Sequence, residues 1–211
     1  RQNGTQTWPG DPQFESEKRY VLGQLEELIE TCEDITGKKF NMDKLKQTLE
    51  YSNRMSRAWK EIIECNQGNP AVFDALSDGT SYLGVNNVWR GTEEGAIFFE
   101  RLLEEKQWMV ENNIGAVEEE KHRLAFIGVP CYPIFRDFSK LFSDWGGVFV
   151  SSPYMWFASG GNNLGFQYDI DNPLESLAEI TLIHVRVAME SMFNPNEIIM
   201  DLKDRFNIEG I

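Results

Sequence analysis

No apolar run in this sequence approaches the ~20 residues that a membrane-spanning helix needs. Histidine is confined to His122 and His184, and cysteine to Cys32, Cys65 and Cys131. Three scattered cysteines, odd in number, make no disulfide framework and fit a reducing, cytoplasmic compartment. No C-x-x-C or H-x-x-x-H spacing occurs, so nothing in the pattern supports a self-contained zinc site. Basic residues are scarce as well: 20 Lys and Arg stand against 34 Asp and Glu, a formal net charge of −14. That balance argues against nucleic acid or an anionic membrane surface as the main partner. The opening, RQNGTQTWPGDPQ, has no apolar core of the kind a signal peptide carries. It starts on Arg1 and not on Met, so the natural start is expected further upstream.

What is present is organised around residues 121–157, KHRLAFIGVPCYPIFRDFSKLFSDWGGVFVSSPYMWF. Leu124 to Val129 and Val148 to Val150 are apolar runs of strand length. Between them Ile134, Phe135, Phe138, Leu141, Phe142 and Trp145 recur at helical spacing, and Gly146-Gly147 stops the helix. Both strands read as buried on both faces, which predicts a parallel sheet covered by helices and joined by a right-handed crossover. Ligands of such sheets bind off the carboxyl ends of the strands, here residues 128–132 and 151–156.

The rest of the chain reads mostly as helix. Residues 1–12 form a polar lead-in. A first helix carries Phe14, Val21, Leu22, Leu25, Leu28, Ile29 and Cys32 on one face and ends at Gly37. A second is capped by Asn41 or Asp43 and carries Leu45, Leu49, Met55, Trp59, Ile62 and Ile63. The two are expected to pair as an antiparallel hairpin. Residues 70–89 read as a long connection with one or two short helical turns. A third long helix opens at Arg90-Gly91-Thr92, with Ile97, Phe98, Leu102, Leu103, Trp108 and Met109 on its face. Residues 116–121 (AVEEEK) are a charged link, with Glu118, Glu119 and Glu120 solvated. Residues 157–170, dense in Gly and Asn, read as loop. Asn172-Pro173-Leu174-Glu175 starts a helix carrying His184 and Met192, and Asn194-Pro195-Asn196-Glu197 starts a last one through Ile198, Ile199, Leu202 and Phe206. Residues 207–211 read as the beginning of another strand.

Few residues stand out as chemical. Cys131 ends the first strand in G-V-P-C, as a ligand contact or as a small apolar residue in a tight turn. Ser159-Gly160-Gly161 with Asn162-Asn163 is a backbone cradle for an anion or thioester, or a plain connection; it matches neither a Walker loop nor G-x-G-x-x-G. Tyr154, Met155, Trp156 and Phe157, at the end of the second strand, are core packing or the walls of an apolar pocket. His184 sits mid-helix on an apolar stripe, the place of a satisfied core histidine, and His122 is expected in solvent. Composition and spacing alone give no catalytic constellation.

Three segments carry a resemblance that goes further: ITGKKFNMDKLKQTLEYSNRMSRAWKEI (residues 35–62); RGTEEGAIFFERLLEE (90–105) with GAVEEEKHRLAFIGVPCY (115–132); and GGVFVSSPYMW followed by DNPLESLAE. Together they resemble a subunit of the 2-hydroxyacyl-CoA dehydratase and benzoyl-CoA reductase family, leaning to the benzoyl-CoA reductase branch. The fold class is then α/β: a mostly helical segment over residues 1–115, then a truncated parallel-sheet, Rossmann- or flavodoxin-like unit over 116–211. The resemblance implies an acyl-CoA substrate, a homologous second subunit and a separate ATP-hydrolysing iron–sulfur activator. It implies an oxygen-sensitive [4Fe-4S] centre and low-potential one-electron reduction of the thioester to a ketyl radical anion. Cys32, Cys65 and Cys131 do not match the family's cluster positions, so the ligands are expected outside this chain, with no cluster bound by these residues alone. Where other members carry Cys or Asn after the second strand, this chain has Ser151-Ser152-Pro153-Tyr154. Dehydration of a 2-hydroxyacyl-CoA and a non-catalytic docking subunit are the alternatives. Candidate substrate contacts are Cys131, Tyr132, Tyr154, Trp156, Ser159, Gly160 and Gly161.

Overall fold

A computed structural model describes residues 8–193 and 195–211. The expected lead-in over residues 1–7 and the start signal at Asn194 lie outside them, as do the side chains of Met192 and Ile198. The long helices begin and end where short-range chemistry dictates. Helix α1, Pro12–Thr36, starts on a proline at its first turn and stops at Gly37, whose N–H reaches the Glu33 carbonyl. Helix α2, Met42–Cys65, is capped by Asn41, whose side chain accepts from the Lys44 N–H at 3.0 Å. After helix α3, Ser77–Trp89, helix α4, Glu93–Glu111, is capped by Thr92, which accepts from Gly95 N–H at 3.1 Å.

Packing rearranges the expected pairs. Helix α2 lies along α4, with Trp59 and Phe99 rings 4.9 Å apart and an Arg54–Glu100 ion pair at 2.7 Å. Helix α1 lies instead along α7, Pro173–Phe193, so the expected α1–α2 hairpin does not form. The cause is the quality of the stripes. Phe14 is the buried residue of α1, held beneath Arg186, and Lys18 pairs with Glu179 at 3.0 Å. Further along, Leu28, Cys32 and Ile35 are exposed; Cys32 is not a core residue. The core face of α4 is likewise rotated from expectation: Ala96 and Phe99 are buried, while Trp108 is exposed.

Residues 77–89, expected as short turns in a connection, form one 13-residue helix. Its glycines and β-branched residues are weak helix formers. Tertiary contacts override them: Tyr82, Leu83 and Asn86 are buried, and Asp74 organises the start. The Asp74 carboxylate accepts from the N–H groups of Leu76, Ser77 and Phe149 and from the Ser139 hydroxyl.

The sheet is parallel, as expected. Strand β1, His122–Ala125, pairs with β2, Gly147–Ser151, in the register Leu124 to Phe149. Helix α5, Phe135–Ser143, crosses between them, stacking Phe138 on Phe149 and setting Phe142 edge-on to it. Strand β1 starts two residues before the expected Leu124 and ends at Ala125. The chain turns at Gly128 (φ +114°), and Val129 is exposed. Strand β2 is buried throughout, whereas β1 leaves His122 in solvent. A third strand begins as expected: Gly210 bridges Leu124 in parallel, and Ala125 N–H donates to the Gly210 carbonyl at 3.0 Å. Beyond β2 the chain enters a short helix, α6, Pro153–Ala158, and a 3₁₀ turn, Asn162–Leu164, where loop was expected. Helix α8, Pro195–Phe206, leads back to the sheet. One core joins Met55, Trp59 and Phe99 to Val148, Val150, Leu202 and Phe206.

Arg123 on β1 ties these parts together. Its guanidinium donates to the carbonyls of Asn66 (2.5 Å), just past the end of α2, and Phe206 (2.8 Å), the last residue of α8, and pairs with the Glu120 carboxylate. Glu120 also accepts from Ala71 N–H at 2.6 Å and is 3% exposed, so it does not belong to the solvated acidic run. A cation at two helix carboxyl ends meets the negative ends of two dipoles. Removing one member of a buried ion pair typically costs about 3–5 kcal/mol. Arg123→Met is expected to lower stability by about that amount in urea unfolding, and the double change with Glu120→Gln to recover part of it. A loss under about 1 kcal/mol for Arg123→Met would contradict this assignment.

Candidate functional site

The carboxyl ends of β1 and β2 present two turns side by side. From β1 the chain runs through Ile127, Gly128 and Val129 to Pro130. A side chain at Gly128 would find open space, so its φ of +114° is what requires glycine there. Tyr132 N–H donates to the Pro130 carbonyl and Ile134 N–H to that of Cys131, both at 2.8 Å, which folds Cys131 half-buried into the turn. From β2, the buried Ser151 and Ser152 lead into α6.

These turns bring Tyr132 and Tyr154 together. Their hydroxyls are 2.7 Å apart and their rings meet edge-on at 6.4 Å; Phe157 lies 6.2 Å beyond Tyr154. Burial, and then the hydrogen bond with Tyr132, push the Tyr154 phenol up to about 12. It therefore stays protonated at neutral pH and can donate to an oxygen. Ile127, Val129, Tyr132, Ile134 and Phe157 leave substantial apolar surface around it exposed.

The other candidates lie elsewhere. Trp156 is half-buried against the core, where it helps line a cavity of about 80 Å³ with Lys60, Asn163, Leu202 and Phe206. Ser159, Gly160 and Gly161 are fastened by the chain itself. The Arg90 guanidinium donates to the Ser159 carbonyl, and Ser159 Oγ to Asn163 at 2.8 Å. Asn162 donates to Asn86 at 2.7 Å, and the Ser56 hydroxyl to the Asn162 carbonyl at 2.6 Å. A Cβ on Gly161 (φ +75°) would lie 2.8 Å from the His184 ring. Sequence reasoning passed over Ser56, Asn86 and Arg90. Arg90 is visible in the RGT segment, where it reads as part of a helix start.

His184 is half-buried, as its stripe implies, but not satisfied: Nε2 finds no partner among the described residues. Burial, and then the charge of Arg90, lower its pKa to about 4. The three cysteines sit on separate elements. Cys32 is exposed on α1, Cys65 half-buried at the end of α2 with its thiol pushed up by burial, and Cys131 in the β1 turn. Among the described residues no three His, Cys, Asp or Glu side chains converge on a metal position. The residues present do not fit a cysteine-ligated cluster.

The family model described as 2-hydroxyglutaryl-CoA dehydratase, D-component, matches residues 7–211. The chain belongs to this family. The resemblance carried by the three segments is thereby borne out. A benzoyl-CoA reductase subunit of Thauera aromatica is 32% identical over 184 residues, 83% of this chain and 42% of that protein. The alpha subunit of (R)-2-hydroxyglutaryl-CoA dehydratase of Acidaminococcus fermentans is 36% identical over 120 residues, 56% of this chain and 25% of that protein. The alpha subunit of (R)-2-hydroxyisocaproyl-CoA dehydratase of Clostridioides difficile is 26% identical over 196 residues, 91% of this chain and 43% of that protein. The chain spans less than half the length of each of these relatives.

His184 gives this fold a pH dependence. The unfolded imidazole takes up a proton near 6.5, the folded one near 4. Between these values the unfolded state binds more protons, so stability falls as pH drops through the window and is fully present above it. Urea midpoints measured across this range should fall less steeply in His184→Gln than in the parent. An unchanged slope would show that His184 does not govern the effect.

Proposed function

We propose that the chain is part of a subunit of an oxygen-sensitive iron–sulfur acyl-CoA enzyme, and that the carboxyl ends of β1 and β2 hold the acyl thioester. The substrate is an aromatic, benzoyl-CoA-like thioester reduced by low-potential one-electron steps. The observation that carries this reading is the Tyr132–Tyr154 hydroxyl pair set in an exposed apolar rim at the strand ends. It supplies what an aryl thioester needs: edge-on aromatic contact, exclusion of water, and a protonated phenol able to donate to a thioester oxygen as negative charge grows there. Ser152, Pro153 and the turn at Gly128 position the rim without placing a charge in it. The [4Fe-4S] cluster is held by cysteines outside these residues, because the three present here do not converge. A homologous second subunit and an ATP-hydrolysing activator complete a cytoplasmic complex.

A second reading, dehydration of a 2-hydroxyacyl-CoA, is favoured by the dehydratase names of several relatives. It uses the same rim. The test is an anaerobic assay of the full-length subunit with its partner and activator, offered benzoyl-CoA and (R)-2-hydroxyacyl-CoA thioesters in parallel. Consumption of benzoyl-CoA is expected, with Tyr154→Ala raising KM about tenfold, the size of a lost aromatic contact. Turnover of the hydroxyacyl thioesters alone would establish the second reading. No turnover of either by an assembled complex would leave the docking role.

A further inference from the structure

Between β1 and α5 the chain forms a strap, Gly128-Val129-Pro130-Cys131-Tyr132-Pro133-Ile134, whose sequence explains why it joins neither element. Pro130 and Pro133 have no N–H to give to a ladder or a helix, and their rings lock φ, so the middle of the strap is stiff. Gly128, at the start, holds φ +114°, and a Cβ there would meet nothing within 4 Å. A glycine with open space around it turns about its backbone at little cost and serves as a hinge. Ile134, at the other end, is the residue before α5.

The strap has few ties. Phe126 N–H, which donates to the Ser151 carbonyl at 3.1 Å, marks the end of pairing across to β2. The N–H groups of Tyr132 and Ile134 bond only within the strap, to the carbonyls of Pro130 and Cys131. Among the described residues, no backbone hydrogen bond joins residues 127–133 to another element. Val129 is 68% exposed, Tyr132 50% and Ile134 54%, whereas Pro130 is buried and Cys131 half-buried. What fastens the middle is the Tyr132 hydroxyl, 2.7 Å from that of Tyr154, with the two rings edge-on. Tyr154 is the fixed partner, because α6 packs on α3 and α7. Segments with little buried surface and few hydrogen bonds open locally at small cost, and one hydrogen bond adds only modest net stability.

We infer that residues 128–134 are a strap hinged at Gly128 and latched by Tyr132 to Tyr154, which swings open to admit a ligand to the strand ends and closes behind it. The role of gate rests on the proposal that the strand ends hold the acyl thioester; the latch does not. Opening lifts Pro130 out of its buried position and uncovers Cys131.

Cys131 reports that movement. In the full-length complex, under anaerobic conditions, its alkylation by N-ethylmaleimide is followed by mass spectrometry of its peptide. Cys65, half-buried at the end of α2, is the internal reference. Tyr132→Phe and Tyr154→Phe each remove one hydroxyl and keep the ring. Each should speed alkylation of Cys131 about three- to tenfold, the weight of one hydrogen bond, with Cys65 unchanged. The double variant should be no faster than the single ones, since both changes act on one contact. Saturating benzoyl-CoA should slow alkylation of Cys131 in the parent, and less so in the double variant. Unchanged Cys131 rates in both single variants, additive gains in the double, or equal acceleration at Cys65 would overturn the latch. Benzoyl-CoA that binds the complex but protects Cys131 equally, or not at all, in parent and double variant would overturn the gate and leave the proposed function in place. A parent complex that binds neither benzoyl-CoA nor a hydroxyacyl-CoA would overturn the proposed function and the gate together, while the alkylation rates still decide the latch.

Discussion

Arg123 is the residue on which the arrangement of layers depends. A guanidinium donates in several fixed directions at once, and here those directions lead to the ends of α2 and α8 and to Glu120. The helical part and the sheet part are thereby joined through β1. Asn66 adds to the same junction. Its side chain accepts from Val72 and Phe73 N–H and donates to the carbonyls of Phe73 and Val150. Buried polar groups of this kind are costly when unpaired and directional when paired, so they admit one packing of the surrounding apolar surfaces.

What this junction positions is the pair of strand ends. With β1 and β2 held in register, the turns at Gly128 and Pro153 stand side by side and Tyr132 meets Tyr154. On the other side of α6, Arg90 and Asn86 fasten the segment from Ser159 to Asn163 from within. The glycine-rich stretch is thus a packed element whose backbone passes between Arg90 and His184.

Much of this is legible in the sequence, and the reason is locality. The caps at Asn41 and Thr92, Gly37 after α1 and Pro173 at the first position of α7 act within a few residues, so pattern and outcome agree. The α5 stripe and the runs around Leu124 and Val148 reveal a parallel pair because buried strands need continuous apolar runs. What is not legible is chosen over long range. Helix α1 pairs with α7 through Phe14, Lys18 and Glu179, which no neighbour in sequence announces. Helix α3 forms because its residues are buried, against their own propensity. Glu120 looks like one more acid in a charged link until Arg123 and Ala71 close on it. The tyrosine pair follows from a turn geometry that depends on both strands, so each tyrosine alone reads as one aromatic among several.

The central claim, that the strand ends hold the acyl thioester, is tested most directly by photoaffinity mapping. A CoA thioester carrying a photoreactive aryl group would be bound to the full-length complex, irradiated, and the labelled peptides identified by mass spectrometry. The account predicts labels on the turn after β1 and on the start of α6, both displaced by unlabelled benzoyl-CoA. Labels confined to other surfaces, such as the groove between the end of α1 and the start of α2 around Lys39 and Lys44, would contradict it.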